Sequence, residues 1–166
     1  MPFTPFHFGP GAAICAVAPK HLSFWAFCGA NVLIDIEPLY YMLNNNPPLH
    51  RFFHTYIGAA IISVATIALF LVVLAIAKRI SLPNIFNWRS LSMRSVTLGA
   101  LVGAYSHVVF DSFMHHDITP LAPFSNVNHL LGLVPLGLLH LFCVGAGIFA
   151  VAFIYMQATC DFSKTR

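Results

Sequence analysis

His107, Asp111 and His115 recur every four residues at the end of an apolar run long enough to cross a bilayer. On a helix that spacing makes one polar stripe. His107-x3-Asp111 sets an imidazole and a carboxylate one turn apart, a donor pair that a divalent transition metal takes together. The competing reading is a buried His–Asp hydrogen bond that ties two helices together. Either way the stripe needs partners, because an Asp at the centre of a membrane costs roughly 2.5–3.5 kcal/mol even on the cheaper scale.

Other segments supply candidates. Asp35-Ile36-Glu37-Pro38 puts two carboxylates near the end of another apolar run. On an ideal helix they diverge by roughly 200°, so both serve one site only if the helix unwinds. Pro38 disfavours helical geometry at Glu37 and makes such a bend plausible. Otherwise Asp35 faces the bundle and Glu37 the interface. Asp35 is read as a ligand, and Glu37 as a ligand or a general base.

His50-x3-His54 offers two imidazoles on one helical face, or else a solvated interfacial pair. Arg51 either holds a phosphate in a bidentate clamp or snorkels toward headgroups. His7 precedes Gly9-Pro10-Gly11, a hinge that would aim it inward. His115, His116, Asp117 and His140 form a second tier: His116 and Asp117 fit an entrance, and His140 fits a core hydrogen bond.

The elements that must position these residues follow from composition. Of 166 residues, 58% are hydrophobic and only 8% charged, against about 25% charged in a soluble domain. The expected fold is all-α, a single polytopic membrane bundle over residues 1–166. Four long spans are expected at about 22–43, 55–77, 95–117 and 132–157, with a short helix at about 6–18. That first helix falls below the roughly 20 residues a span needs. Residues 80–94 read as a polar loop, and the start lacks the basic residues of a cleavable signal peptide.

The net charge of +3 comes without a basic block, which argues against nucleic acid as a partner. The bilayer is the expected partner, and no feature speaks to oligomeric state. Four cysteines without CxxC spacing read as small core residues. With alternating crossings, Lys20, Lys78, Arg79, Arg89, Arg94, Lys164 and Arg166 share one side, leaving Arg51 on the other. The positive-inside rule makes the first side cytoplasmic. Eight of the nine histidines, all but His21, then fall in the extracytoplasmic half. Several helices bringing His and Asp to one depth is how metal sites are built inside bundles.

In order along the chain, His7, Asp35-Ile36-Glu37-Pro38, His50-Arg51-Phe52-Phe53-His54-Thr55 and Ser106-His107-x3-Asp111 resemble the YdjM-like family of predicted membrane-bound, metal-dependent hydrolases. The Thr119–Phe124 segment is similar to that family's Pro-Phe loop, so the likeness covers roughly residues 5–125. Glu37 stands where the family commonly has a second Asp, and His50 and His54 are four apart where five is common. The resemblance implies His7, Asp35, His54, His107 and Asp111 as metal ligands, with Glu37 as ligand or base.

The expected function is a metal-dependent hydrolase in a bacterial inner (plasma) membrane, with its metal site facing outward. One or two divalent ions, zinc or manganese, would activate water against an ester or phosphoester of a lipid or lipid-linked substrate. Glu37 or Asp111 would take the proton, and Arg51 would steady an anionic headgroup. The rival readings are a metal or proton transporter using the same cluster, and haem held by paired histidines.

Overall fold

Hydroxyl side chains set where three of the helices begin. Ser23 accepts from the Ala26 N–H, Thr55 from Gly58 and Ser92 from Ser95, at 3.2, 2.9 and 3.1 Å, each satisfying a donor of a first helical turn. The computed structural model describes residues 4–80 and 83–164, and the side chains of 5–80, 83–85 and 88–158. It contains α1 (Thr4–Val17), α2 (Phe24–Leu43), α3 (Tyr56–Ala77), α4 (Met93–Met114) and α5 (Leu136–Lys164). Two 3₁₀ turns, Phe52–His54 and Ile85–Ser90, lie in the connections. Among the described residues there is no strand.

Among the described residues, three helical stretches are long and apolar enough to cross a membrane: Tyr56–Ala77, Met93–Met114 and Leu136–Ala158. This corrects the expectation of four spans, because α2 is not among them. Asn31, Asp35, Glu37 and Pro38 interrupt its apolar run, and Asn31, Asp35 and Pro38 are buried. α2 packs against α1, α3 and α4, so these polar groups face protein. α3 and α5 instead present Val64, Val72, Ile148 and Val151 outward.

α2 and α4 run parallel at close range. The Ser23 N–H donates to the Ser95 carbonyl at 2.9 Å, and Asn31 approaches the Gly103 carbonyl at 3.5 Å. Gly99 and Gly103 permit this: a Cβ at Gly103 would stand 2.6 Å from the Phe27 carbonyl oxygen, and one at Gly99 would strike that of Ser23. Ala26, Ala30, Ala100 and Ala104 complete a seam of small residues, the kind that lets apolar helices pack without large side chains. α3 lies antiparallel to this pair, with Ser63 Oγ near the Ala100 carbonyl and Tyr56 stacked on Tyr105.

Other local expectations are corrected. Gly9-Pro10-Gly11 is not a hinge but part of α1. Its glycines allow close approach, Gly9 to the Cys143 carbonyl of α5 and Gly11 to the Phe27 ring of α2. α2 stays helical through Pro38, at the loss of one i→i−4 bond. His50 is not helical at all. Pro47 and Pro48 precede it, and Glu37 draws the next turn onto α2.

The packing puts Lys20, Lys78, Arg79 and Arg94 at or beside the helix ends opposite His50, His54 and His115. Arg166, and the side chains of Lys164 and Asp161, lie outside the described residues. Cys15, Cys28 and Cys143 are free thiols.

Candidate metal centre

Asp35, His54, His107 and Asp111 meet where α2, α4 and the Phe52–His54 turn converge. All four are buried, with 8%, 0%, 1% and 2% of their surface exposed. Each offers an oxygen or nitrogen within 4.8 Å of the others. His107 Nε2 lies 3.2 Å from both Asp35 Oδ1 and Asp111 Oδ2. His54 Nε2 lies 3.6 Å from Asp111 Oδ2 and 3.9 Å from Asp35 Oδ1.

These separations bear on two chemistries. N–H···O bonds run at about 2.7–3.2 Å, so the two His54 contacts are too long for one and the two His107 contacts lie at its limit. Bonds of about 2.05 Å to one tetrahedral metal put donor atoms about 3.3 Å apart, inside the observed range. His54 Nε2, His107 Nε2 and Asp111 Oδ2 are buried and have no hydrogen-bond partner among the described residues, which is costly unless something else occupies the centre.

Asn31 fixes the state of His107. Its side-chain amide donates to the Phe27 carbonyl at 2.8 Å, so its Oδ1 is left to accept from His107 Nδ1 at 3.0 Å. A ring hydrogen therefore sits on Nδ1, and Nε2 faces two carboxylates. That position suits a cation, either a proton on Nε2 or a metal ion in its place. Two carboxylates and two neutral imidazoles balance one divalent ion, which suits a dry site. The residues fit a metal. Sequence reasoning missed Asn31, although an Asn one turn before Asp35, in an apolar run, was a usable signal.

No family model matches the chain, nor does any curated protein or solved structure. The chemical reading therefore rests on this geometry and on the ordered motifs.

Glu37 stands apart from the convergence. Its Oε2 accepts from the Arg51 and Phe53 N–H groups at 3.1 and 2.9 Å and lies 3.6 Å from His54 Nδ1. It thus binds the turn that carries His54 and faces the ring nitrogen turned away from the centre. Carboxylates behind a metal-bound imidazole commonly do this. Gly58 lets the turn lie close, since a Cβ there would strike the Phe52 carbonyl.

His7 reaches the cluster from α1. Its Nε2 is 3.1 Å from Asp111 Oδ1, and its ring stacks on His107 with centroids 4.5 Å apart. It also lines a crevice of about 280 Å³ between α1, α4 and α5, with Phe6, Phe110, Met114, His115 and His140 among its walls. His140 stacks on Phe6 at 4.7 Å.

Arg51 is not brought to the centre. Its guanidinium donates to Pro48 and Asn46 and lies 3.6 Å over the Tyr41 ring. His50, His115 and Asp117 form a group of their own. There burial and the neighbouring His54 push the His50 imidazole down to about 4, against the pull of Asp117. Burial raises the Asp117 carboxyl, but hydrogen bonds from His50 outweigh it and bring it down to about 2. His116 is exposed beside this group.

Proposed function

We propose that the chain is an integral-membrane, metal-dependent hydrolase acting on an ester or phosphoester of a lipid or lipid-linked substrate. The observation that carries the reading is the convergence of partnerless donor atoms of His54, His107 and Asp111 at metal-ligand spacing. The ordered likeness to the YdjM-like family and the apolar outer faces of α3 and α5 support it. Zinc or manganese suits this mixed nitrogen and oxygen set. The Lys/Arg bias argues for a centre near the extracytoplasmic interface, where a lipid headgroup is within reach.

Asp35, His54, His107 and Asp111 would hold a divalent ion, which would supply an acidified water and a polarised ester once its coordination opens beyond these four ligands. The chain's own residues do the rest. Asn31 and Glu37 orient the two imidazoles. His7, between the crevice and Asp111 Oδ1, is placed to accept a proton and return it to a leaving group. Phe6, Phe110 and Met114 give the crevice an apolar wall suited to an acyl or prenyl chain.

The transporter reading lacks a path. Beyond Asn31 the helices meet through Phe27, Ala26, Val96 and Ala100, and the Ser63 and Thr66 hydroxyls are engaged by carbonyls of their own helix. Haem is disfavoured because the rings of His7, His54 and His107 pack against each other, with centroids 4.5 and 5.4 Å apart, leaving no slot for a macrocycle. The test is turnover of a panel of lipid esters and phosphoesters by purified protein loaded with zinc or manganese. Turnover lost on chelation and in His107→Ala supports the reading. Metal flux into proteoliposomes without turnover of any ester would sink it.

A further inference from the structure

A second group of donors meets at the mouth of the bundle, outside the buried quartet. Asp117 Oδ2 accepts from the Leu49 and His50 N–H groups at 3.0 and 3.2 Å, which fixes the carboxylate against the loop. Its Oδ1 lies 2.9 Å from His50 Nδ1. The His115 ring sits 4.3 Å, centroid to centroid, from that of His50. The three side chains offer donor atoms within 4.8 Å of one another.

This cluster is built rather than incidental. His115 follows the last turn of α4, its N–H bonded to the Asp111 carbonyl at 2.8 Å. Asn128 secures the same corner through the carbonyls of Ser112 and His115 at 2.9 and 3.4 Å. His50 is 5% exposed, and its Nε2 has no hydrogen-bond partner among the described residues. The cluster nevertheless faces a cleft bounded by Pro47, Pro48, Leu49 and His116, so a hydrated ion can reach it.

We infer that His50, His115 and Asp117 form a second divalent-cation site, exchangeable with solvent and distinct from the buried quartet. Two imidazole nitrogens and one carboxylate oxygen make a three-donor set with an open side, as in metal sites that also hold a water or a ligand. Binding through His50 Nδ1 replaces its 2.9 Å contact with Asp117 Oδ1 and moves the ring hydrogen to the buried Nε2. The two sites share a wall, since the His50 and His54 rings meet edge to face at 4.6 Å.

The charges of the two sites differ in a useful way. Two carboxylates in the quartet neutralise a divalent ion, whereas one carboxylate at the mouth leaves a net positive charge. The mouth ion is therefore held less tightly and attracts anions. It fills a role that Arg51 does not, because that guanidinium is engaged by Asn46, Pro48 and Tyr41.

The test is equilibrium dialysis of the purified full-length chain against Mn²⁺, with bound metal counted by atomic emission. Two equivalents of different affinity are expected. His115→Ala and Asp117→Asn should each weaken the looser one at least tenfold and leave the tighter one. Asn at 117 keeps an oxygen for the Leu49 and His50 N–H groups, so the loop retains its anchor. His107→Ala should remove the tighter equivalent alone. A single equivalent abolished by His107→Ala would overturn this inference and leave the buried centre standing. A single equivalent abolished by His115→Ala would do the reverse. A looser equivalent that survives both mouth substitutions also overturns it.

Discussion

His107 Nδ1 donates to Asn31 Oδ1 at 3.0 Å, across the seam where α2 and α4 run parallel. Asn31 lies one turn before Asp35 on the same helix, so one face of α2 both aims the imidazole and supplies a carboxylate facing it. Removing this partner should loosen the metal without removing a ligand. Asn31→Ala is expected to weaken zinc or manganese affinity 10- to 100-fold, read by competition with a chelating dye. Unchanged affinity would mean that the amide does not set the tautomer.

Glu37 is expected to act through His54. Its carboxylate holds two backbone N–H groups of the loop, and bonds to a charged acceptor contribute about 1.5–3 kcal/mol each. Glu37→Ala should lower the melting temperature by several degrees and weaken metal binding. Glu37→Gln, which keeps an oxygen acceptor, should recover most of the stability and less of the affinity. If Glu37 is instead the general base, Gln and Ala will abolish turnover equally while metal binding stays intact.

The α2–α4 seam offers a test that touches no ligand. A Cβ at Gly103 meets the Phe27 backbone oxygen at 2.6 Å, and backbone cannot swing aside as a side-chain tip can. Gly103→Val should therefore push the helices apart and separate Asp35 from His107. Bound metal should drop at least tenfold while the helical circular-dichroism signal persists. Wild-type metal content in this variant would show that the seam does not set the ligand spacing.

The mouth of the bundle should respond to acid. His50 is held near 4 against an ordinary 6.5, so between those values the unfolded chain binds a proton that the folded chain refuses. Stability must then fall as pH drops through that window, by up to about 1.4 kcal/mol per pH unit for this group. Asp117, held near 2 against 3.8, keeps its contribution until pH falls below 3.8 and loses it toward 2. Thermal melts of metal-free protein between pH 7 and 4 should show a shallower decline in His50→Gln than in wild type. Parallel profiles would contradict this.

Sequence pattern and structure agree where the physics is local. The four-residue spacing of His107 and Asp111 needs only a helix to align them, and Asp35 stands out because a carboxylate is costly in an apolar run. The rest depends on tertiary capture that periodicity does not encode. His54 reaches the centre on a 3₁₀ turn held by Glu37, not on a helical face shared with His50. His115 leaves the stripe because α4 ends at Met114. Arg51 is drawn to Asn46 and Tyr41, and Pro38 does not unwind α2. α2 itself read as a span because its length was right, whereas Asn31, Asp35 and Pro38 give it a buried polar face beside the exposed Val32, Ile36 and Leu39.

The central claim is a divalent ion among Asp35, His54, His107 and Asp111. The most direct measurement is an experimental structure of the protein incubated with zinc or manganese, with anomalous scattering at the metal edge. The account predicts a peak about 2.0–2.2 Å from His54 Nε2, His107 Nε2 and the two carboxylates. A metal-soaked structure with no peak there, and with imidazoles and carboxylates closed into direct hydrogen bonds of about 2.8 Å, would contradict it.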